Sequence, residues 1–311
     1  RQSTYNRNGH TLTATVERID VLLESEDILN FPRLIELDGD QLVLPYGRGR
    51  HGGDETRPVA TSDDFGRTWN DAHVDSPMAD NVQTSGILGY SRDGTITYID
   101  VFPTNVKWSR AEEGPYHRSE AAKVRNPVFR SRRFSGQGSL IDDSTFTITN
   151  IPWDQASYEL YGTLLELDNG ELLTAFQAQI EFPPEDRFTF STFIARSKDG
   201  GKTFQHVQTF SPESEDGYIG EQGFCEPDME ILANGDILCV MRSGQYSPMY
   251  QSRSTDGGHT WTTPESTGWQ GVKPHLRLLS NGVLACSAGR GAYGHPQVTH
   301  AMFSIDGTGE H

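Results

Sequence analysis

Short runs of alternating apolar and polar residues, each interrupted by a turn, recur along this chain. One such run is Leu34–Val43, with Asp38, Gly39 and Asp40 at its centre. The same pattern returns at Leu164–Leu173, Glu230–Leu238 and Leu276–Leu284, and more weakly at Tyr90–Ile96. Alternation with a period of two is typical of strands, and Asp, Asn and Gly between two such runs are typical of hairpin turns. The pattern therefore predicts a series of β-hairpins.

A second pattern, Ser-x-Asp-x-Gly-x-Thr followed by Trp or Phe, occurs at Ser62–Trp69, Ser197–Phe204 and Ser254–Trp261. A fourth, decayed copy lies at Ser304–Gly309. In a tight turn of this kind the Asp accepts backbone N–H groups two residues on, the Gly takes a positive φ, and the aromatic residue packs back onto the sheet. Internal repeats of this type indicate a propeller or a solenoid.

The two patterns run in step, because each strong hairpin is followed roughly twenty to thirty residues later by the signature turn. One hairpin plus a second hairpin closed by that turn makes a four-stranded blade. Five units can be counted, and we expect the last to be cut short at His311. Thr11–Ile19 alternates like a strand without a hairpin partner, so we expect it to complete a blade begun at the other end of the chain. We therefore predict an all-β fold, a six-bladed β-propeller of four-stranded antiparallel blades with an incomplete last blade, forming one domain over residues 1–311; a complete five-bladed propeller is the alternative.

Composition supports this architecture and narrows the partners. The net charge of −17 argues against nucleic acid or an anionic membrane as the main partner. No apolar run reaches the length of a transmembrane span, so we expect no membrane insertion. Cys225, Cys239 and Cys286 lie in or beside strand patterns, where we expect buried apolar residues, although a disulfide between the first two stays open. Because no residues show the spacing of metal ligands, we expect neither a metal nor a cofactor.

Charged side chains lie where the predicted hairpins end. The Gly-rich segment Tyr46–Arg57 follows the first hairpin and contains Arg48, Arg50, His51 and Asp54. Glu226 opens the fourth unit and Arg242 ends its first hairpin. Arg290 ends the fifth hairpin at the position that Arg48 has in the first. Arginines at one structural position in several blades converge on the propeller axis, which is the geometry needed to bind a planar carboxylate bidentately.

With these turns and these residues the chain resembles the sialidase (neuraminidase) superfamily, six-bladed propellers that carry Asp-box turns, also called BNR repeats. Arg48 is followed six residues later by Asp54, as a strand-end Arg is followed by the catalytic Asp in the family, so the resemblance implies that Asp54 is the general acid and base. Glu226, in Glu-Pro-Asp-Met, corresponds to the Glu that activates a Tyr nucleophile. Arg242 and, more weakly, Arg290 correspond to arginines that bind the substrate carboxylate.

Two features differ from the family pattern. Asn30 stands where the family has the Arg of Arg-Ile-Pro, so Arg33 or Arg50 would have to complete the carboxylate clamp. The family's Tyr nucleophile lies in the final blade, and we expect it beyond the end of this chain. The loop tyrosines do not stand in its motif; these are Tyr246, Tyr250 and Tyr293.

The resemblance implies retaining exo-hydrolysis of a terminal acidic sugar, sialic acid or a related sugar, by a secreted or periplasmic protein. A second hypothesis is a polysaccharide lyase or another glycosidase on the same scaffold, which Asn30 and a base such as His51 or His275 would suit. A third is a non-catalytic propeller that binds glycans. Since propellers host all three functions, the fold alone does not decide among them. The expected partner is a carbohydrate in each case, and not nucleic acid.

Overall fold

The described part of the structure, a computed structural model, is almost entirely β-structure with one short helix, α1 (Pro77–Asn81). The residues that the structure describes are 2–7, 9–15, 26, 29–30, 32–49, 58–70, 77–82, 85–101, 128–152, 157–182, 187–214, 217–220, 222–244, 246–290 and 298–309.

The first two strands form a hairpin of their own, β1 (Gln2–Arg7) with β2 (His10–Thr15). This corrects the prediction that the strand beginning at Thr11 has no hairpin partner and completes a distant blade. Gly9, between the strands, adopts a φ of +81°, which a tight hairpin turn requires and glycine tolerates. Residues 16–19 of the predicted strand lie outside the described residues.

Five blades of predominantly antiparallel strands follow in chain order, and the strands of the first blade form two separate sheets. Blade 1 contains β3 (Leu29–Asn30), β4 (Ile35–Glu36), β5 (Leu42–Pro45), β6 (Gly47–Arg48) and β7 (Val59–Ser62). Blade 2 contains β8 (Ile87–Tyr90), β9 (Ile96–Val101), β10 (Phe129–Phe134) and β11 (Leu140–Phe146). Blade 3 contains β12 (Ile148–Thr149), β13 (Ser157–Glu159), β14 (Leu164–Glu166), β15 (Leu172–Phe182), β16 (Arg187–Ser197) and β17 (Phe204–Phe210).

A two-stranded hairpin, β18 (Glu213–Ser214) with β19 (Gly217–Tyr218), links blade 3 to blade 4. Blade 4 contains β20 (Cys225–Ile231), β21 (Ile237–Arg242), β22 (Pro248–Ser254) and β23 (Glu265–Gln270). Blade 5 contains β24 (Val272–Leu278), β25 (Leu284–Arg290) and β26 (Val298–Ser304).

The all-β propeller architecture is thus confirmed, but the described residues form five blades where the sequence predicted six. The sixth blade was inferred from the strand at Thr11, and the pairing of β2 with β1 removes that inference. The fifth blade has three strands in the order β24, β25, β26.

The innermost strands of successive blades lie side by side around the axis. β8 and β14 touch through a parallel bridge between Leu88 and Thr163, and β20 packs against β24. The hydrophobic core is divided among the interfaces between blades. The largest of these clusters joins blades 2 and 3 through aromatic side chains, including Phe129, Phe146, Phe176, Phe193 and Phe204. This division means that each blade is stabilised mainly by its neighbours.

The signature turns adopt one hydrogen-bonded geometry. In the first, Asp64 accepts hydrogen bonds from the backbone N–H and hydroxyl of Thr68 at 2.8 and 2.7 Å, and the Ser62 hydroxyl accepts one from Gly66 N–H at 2.8 Å. The copies at Asp199 and Asp256 repeat these contacts. In these three turns the Asp accepts the N–H four residues on, and not two as the sequence pattern predicted; in the decayed fourth copy Asp306 accepts the N–H of Thr308, two residues on.

Cys225, Cys239 and Cys286 are free thiols, the first two fully buried, so the structure excludes the disulfide that the sequence left open. In the part of the chain that is described, no helix has the length and apolar character needed to cross a membrane.

Candidate functional site

The inner strands of all five blades begin at the same end of the axis, and polar groups converge there. The Arg33 guanidinium precedes β4 and donates hydrogen bonds to the carbonyl oxygens of Gly86 and Gly162, the latter at 3.1 Å. These two glycines precede β8 and β14. Glu226 and Lys273 occupy the corresponding places in β20 and β24, where Lys273 N–H donates to Glu226 Oε2 at 2.8 Å. Residues from five blades thus meet in one site, which we call the axial site.

In blades 2 to 5 the residue at this position has a positive φ: 128° at Gly86, 102° at Gly162, 45° at Glu226 and 49° at Lys273. In blades 4 and 5 the strained residue is followed by proline and lies in a β-bulge, where the register with the next strand shifts. A positive φ is costly for a residue with a Cβ, and such strain clusters at functional sites. Glu226 and Lys273 are therefore the two functional candidates that the backbone itself marks.

The equivalent positions of blades 2 and 3 have no space for a side chain. A Cβ at Gly86 would lie 2.5 Å from the Tyr98 ring, and one at Gly162 would lie 2.4 Å from the Pro227 carbonyl oxygen. Both distances are far below van der Waals contact. The charged groups at this level of the site consequently come from blades 4 and 5.

Glu226 and Arg242, sixteen residues apart in sequence, form an ion pair of 2.9 Å between Oε1 and Nη1. Their strands are neighbours in blade 4, and the pairing sets Cys225 opposite Arg242. The two side chains are only 14% and 15% exposed, so the pair is screened from bulk water. Gln177 of blade 3 accepts a hydrogen bond from the Glu226 N–H. The Glu226 carboxylate is therefore fixed on both oxygens and at its backbone.

Three carboxylates of β20 bind the backbone of β24 in the next blade. Besides Glu226, Asp228 accepts the N–H of Leu276 at 2.7 Å, and Glu230 accepts that of Leu278 at 3.0 Å. We call this row of contacts the carboxylate seam. Burial raises the pKa of Glu230. The seam joins blades 4 and 5 through side chains. It was not predicted from the sequence, although acidic residues at every second position from Glu226 to Glu230 were a signal for it.

Asp228 also orients a histidine. Its Oδ2 lies 2.9 Å from His275 Nδ1, and the Thr163 hydroxyl donates to its other oxygen at 2.7 Å. Asp228 is 1% exposed, whereas the His275 side chain is 65% exposed. The hydrogen bond to Asp228 raises the pKa of His275. A histidine held at Nδ1 by a buried carboxylate presents its other nitrogen to solvent, as a proton donor or acceptor would.

Lys273 is the axial residue for which the sequence analysis gave no role. Its ammonium lies over the ring of Tyr161, 5.3 Å from the centroid. Burial, helped by the nearby Arg33 charge, lowers the pKa of Lys273 to about 8, and Glu226 acts in the opposite direction. The signal available in the sequence was the correspondence of Lys-Pro-His in blade 5 with Glu-Pro-Asp in blade 4.

The other predicted site residues are distributed as follows. Arg33, one of the two possible replacements for the missing arginine, reaches the axial site, and burial lowers its pKa. The backbone of Asn30 pairs with Gly47, next to Arg48, whose side chain is exposed. Arg290 ends β25, where its backbone pairs with Val298. Beyond the described residues lie Arg50, His51 and Asp54.

A metal site is not evident in the described part of the chain. No three His, Cys, Asp or Glu side chains converge there as ligands of one ion would. The described groups include cations that suit anion binding, Arg33, Arg242 and Lys273, and groups that can transfer a proton, Glu226 and His275.

Comparison with known proteins gives one family and several similar folds. The family model for the BNR repeat-like domain matches residues 131–290, just over half of the chain. A search of curated protein sequences found no significant match.

Three solved structures are similar over most of this chain. A protein of unknown function from Dyadobacter fermentans has a TM-score of 0.62 at 20% identity, over 92% of this chain and 81% of that one. A Hadza microbial sialidase has a TM-score of 0.60 at 16% identity, over 90% of this chain and 57% of that one. Trypanosoma rangeli sialidase, bound to the inhibitor DANA, has a TM-score of 0.57 at 15% identity, over 98% of this chain and 50% of that one. At these identities the similarity shows the propeller fold, and this chain spans about half of the length of each sialidase.

Proposed function

Because this chain belongs to the BNR repeat-like domain family, we propose that it is an exo-glycosidase of the sialidase type, which removes a terminal acidic sugar from a glycan with retention of configuration. The observation that carries the proposal is the fixed Glu226–Arg242 pair at the axial end of the inner strands. Around it lie two further cations, Arg33 and Lys273. Three cations beside the Glu226 carboxylate suit a substrate that brings a negative charge of its own.

In the proposed reaction Glu226 is the base. It takes the proton of a tyrosine hydroxyl as that oxygen bonds to the anomeric carbon, and the glycosidic C–O bond breaks. The departing oxygen takes a proton from Asp54. In the second half of the reaction water attacks the anomeric carbon and loses a proton to Asp54, while the bond from that carbon to the tyrosine oxygen breaks and this oxygen recovers its proton from Glu226. A neutral tyrosine suits this step because a carboxylate nucleophile would be repelled by the acidic sugar.

The remaining predicted residues have binding roles in this proposal. Arg33 and Arg242 bind the carboxylate of the sugar. At the rim of the site, the proposed contacts with the rest of the glycan are made by Asn30, Arg48, Arg50, His51, His275 and Arg290. We extend the proposal to location: the protein acts outside the cytoplasm, secreted or in a periplasm, where such glycans are encountered.

The first test is release of 4-methylumbelliferone from its α-sialoside by the wild-type chain, Glu226→Gln and Asp54→Asn. We expect each substitution to lower kcat/KM roughly 10²- to 10⁴-fold, the usual contribution of a general acid or base. Glu265→Gln, an exposed carboxylate on the outer strand of the same blade, is the matched control and should act like wild type. Absence of turnover by a wild-type protein that includes the blade carrying the tyrosine would reject sialic acid as the sugar and leave other acidic sugars to be tried.

A second candidate function, β-elimination on a uronic-acid polymer, is favoured by the Asp228–His275 pair. In this reaction a base removes the proton from the carbon next to the carboxylate. The C–H electrons then form a C=C bond, the neighbouring C–O bond breaks, and the leaving oxygen takes up a proton. His275 would be the base, and Arg33 would stabilise the charge that develops on the sugar carboxylate.

The two candidates are separated by their products. A lyase forms an unsaturated uronate that absorbs ultraviolet light, whereas a hydrolase forms a saturated sugar. For the lyase we expect activity to rise with pH, since His275 must lose a proton to act as a base and its pKa is raised. His275→Gln would abolish β-elimination but would leave α-sialoside hydrolysis largely intact. A glycan that binds without either product would indicate a non-catalytic propeller.

A further inference from the structure

Two exposed aromatic side chains lie on adjacent segments of blade 4. Trp269, in β23, is 63% exposed, and Tyr246, in the connection between β21 and β22, is 58% exposed. They are the most exposed aromatic residues among those whose burial the structure describes. Apolar side chains scattered singly over a surface need no explanation, whereas large aromatic ones grouped on a surface mark a binding site. We call these two residues the aromatic pair.

Hydrogen bonds join the two segments that carry the pair. The Gln270 side chain, next to Trp269 in sequence, donates from Nε2 to the carbonyl oxygen of Tyr246 at 2.5 Å. The backbone of Gln270 also pairs with Pro248, which follows Tyr246 by two residues. The sheet and a side chain therefore fix the two segments against each other.

A bulge in β23 presents Trp269. Pro248 of β22 pairs with Gln270 of β23. Two residues further along β22, Tyr250 pairs with Ser266, so that four residues of β23 lie opposite two of β22. Bulges of this kind redirect a side chain. Here the redirected residue is a tryptophan that stands in solvent.

The bulge is held by hydrogen bonds of its own. The Thr267 hydroxyl accepts the Trp269 N–H at 3.1 Å and donates to the Met249 carbonyl oxygen of β22 at 3.0 Å. Between them, Gly268 has a φ of +73°, which lets the chain turn. Trp269 is therefore exposed on an ordered part of the sheet, as a surface that meets a ligand requires.

The aromatic pair lies at the end of the propeller that carries the axial site. β21 ends at Arg242, four residues before Tyr246, and β23 ends at Gln270, three residues before Lys273. The chain from Trp269 to Lys273 spans at most about 14 Å when extended. Three strand spacings likewise place β23 roughly 14 Å from β20. A short oligosaccharide can bridge this distance, whereas a monosaccharide cannot.

The surroundings of the pair are polar and uncharged. Residues 243–247 and 266–271 consist of Ser, Thr, Gln, Gly and the two aromatic residues. The face of an aromatic ring carries partial negative charge, and the C–H bonds on one face of a pyranose ring turn their positive ends towards it. Amide and hydroxyl groups at the margin suit the sugar hydroxyls. This composition favours neutral sugars as the ligand.

From this arrangement we propose that Trp269 and Tyr246 form a second glycan subsite, which binds neutral pyranose units of the glycan whose terminal acidic sugar occupies the axial site. The inference rests on the proposed function, in that it assumes a glycan in the axial site. It adds a substrate class: an oligosaccharide with neutral sugars behind the acidic one.

The test is an NMR titration of the full chain, isotopically labelled at tryptophan nitrogen, with two neutral tetrasaccharides, lacto-N-tetraose and cellotetraose. We expect the indole N–H signal of Trp269, identified by its absence from Trp269→Ala, to shift with at least one of them. The indole N–H groups of Trp69 and Trp261 donate to carbonyl groups within signature turns, so their signals should not shift. Affinity measured from the sugar signals should fall about 3- to 10-fold in Tyr246→Ala and at least as far in Trp269→Ala.

Phe65→Ala is the matched control and should bind like wild type. Phe65 is 56% exposed and lies in the first signature turn, at the opposite end of its blade from the axial site. Unmoved Trp69 and Trp261 signals in Trp269→Ala and Tyr246→Ala would show that these variants fold.

A Trp269 signal that does not shift with either tetrasaccharide, or unchanged affinity in both variants, would overturn the proposal. So would light scattering that shows self-association of the wild type and its loss in Trp269→Ala, because the pair would then be a contact between copies of the chain. The probes are neutral and the readout is binding. If the expected shift occurs but no α-sialoside is cleaved, the subsite stands and only the proposed hydrolysis fails.

Discussion

Asp228 has three partners although it is almost completely buried: the Thr163 hydroxyl, the Leu276 N–H and His275 Nδ1. We expect Asp228→Asn to lower the pKa of His275, because the hydrogen bond and charge that raise it come from this carboxylate. Titration of histidine ring carbons by NMR, in protein labelled at histidine, measures the shift directly.

The internal reference for that titration is His206 in blade 3, whose pKa is lowered mainly by burial. It should titrate identically in wild type and variant, since its surroundings do not include Asp228. An unchanged His275 titration would show that the pair does not control the proton on this histidine. The β-elimination hypothesis would then lose its main support.

Some residues of the site could be predicted from the sequence, and others could not. Glu226 and Arg242 are brought together because a strand, a tight turn and a second strand lie between them. Lys273 went unnoticed because a lysine before a proline belongs to no known motif. Its importance lies in a backbone angle that composition does not reveal. Asp54 remains a prediction, since it lies outside the described residues.

At the level of elements, two arginines connect neighbouring blades in the same way. Arg253 immediately precedes a signature turn, pairs with Asp236 in its own blade at 3.0 Å, and donates to the Thr308 carbonyl of the next blade at 2.6 Å. Arg196 makes the equivalent contacts with Glu171 and the Gly257 carbonyl. Each arginine lies just before the serine of its turn. In these two of the four copies the sequence pattern extends one residue towards the N-terminus, and that residue connects two blades.

We expect Arg253→Met to lower the free energy of unfolding by about 1–3 kcal/mol, because it removes the cation paired with the partly buried Asp236 carboxylate and the donor that binds the Thr308 carbonyl. Denaturation in urea, followed by tryptophan fluorescence, gives the difference. The matched control is Arg92→Met, which breaks the exposed pair of Arg92 with Asp168 between blades 2 and 3 and should cost less than about 0.5 kcal/mol. Equal losses in the two variants would argue against a special role for Arg253.

The hairpins and signature turns were predictable because their signals are local. Alternation, an Asp or Asn, and a Gly fall within ten residues of one another, as in Leu34–Val43. The partner of β2 was not predictable in this way. Gln2–Arg7 consists mostly of polar residues and shows no apolar alternation, so the strand pattern began only at Thr11.

Across the whole molecule, the signature turns make stability depend on pH. Hydrogen bonds from the backbone and hydroxyl of Thr68 lower the pKa of Asp64 to about 2, and those from the Ser304 hydroxyl and the Thr308 backbone lower the pKa of Asp306 to about 2. Burial opposes the shift at Asp199, but hydrogen bonds within the turn still lower its pKa, and those from Thr260 lower the pKa of Asp256. A carboxylate with a lowered folded pKa stabilises the fold above its unfolded pKa, and this contribution is lost as pH falls through the folded value. We expect the thermal midpoint to fall steadily from pH 4 to pH 2, as measured by circular dichroism.

Neighbouring aspartates in the first turn supply the control. Asp64→Asn should lower the midpoint at neutral pH and flatten its dependence on acid. Asp63→Asn should run parallel to wild type, because Asp63 is exposed and the contacts of the turn are made by Asp64. A wild-type midpoint that does not change over this range would mean that the turns do not limit acid stability.

The propeller architecture was predictable from the sequence, but the number of blades was not. Repeated hairpins and turns indicate a propeller whatever the number of blades, because each blade needs a neighbour on both faces to bury its apolar residues. The number depends on how the ends of the chain pair. That pairing is decided by contacts distant in sequence, such as those of Gln2–Arg7.

Hydrogen–deuterium exchange at the carboxylate seam can report whether the axial site is occupied. The amide hydrogens of Lys273, Leu276 and Leu278 are held by side-chain oxygens of the neighbouring blade. Deuterium from heavy water can replace these hydrogens only when their hydrogen bonds to the side-chain oxygens open transiently. A ligand that moves Glu226 away from Lys273 would accelerate exchange at the Lys273 amide. A ligand that stabilises the carboxylate seam would slow exchange at all three amides. Mass spectrometry of the peptide that spans β24 could therefore register occupancy of the site without any chromogenic substrate.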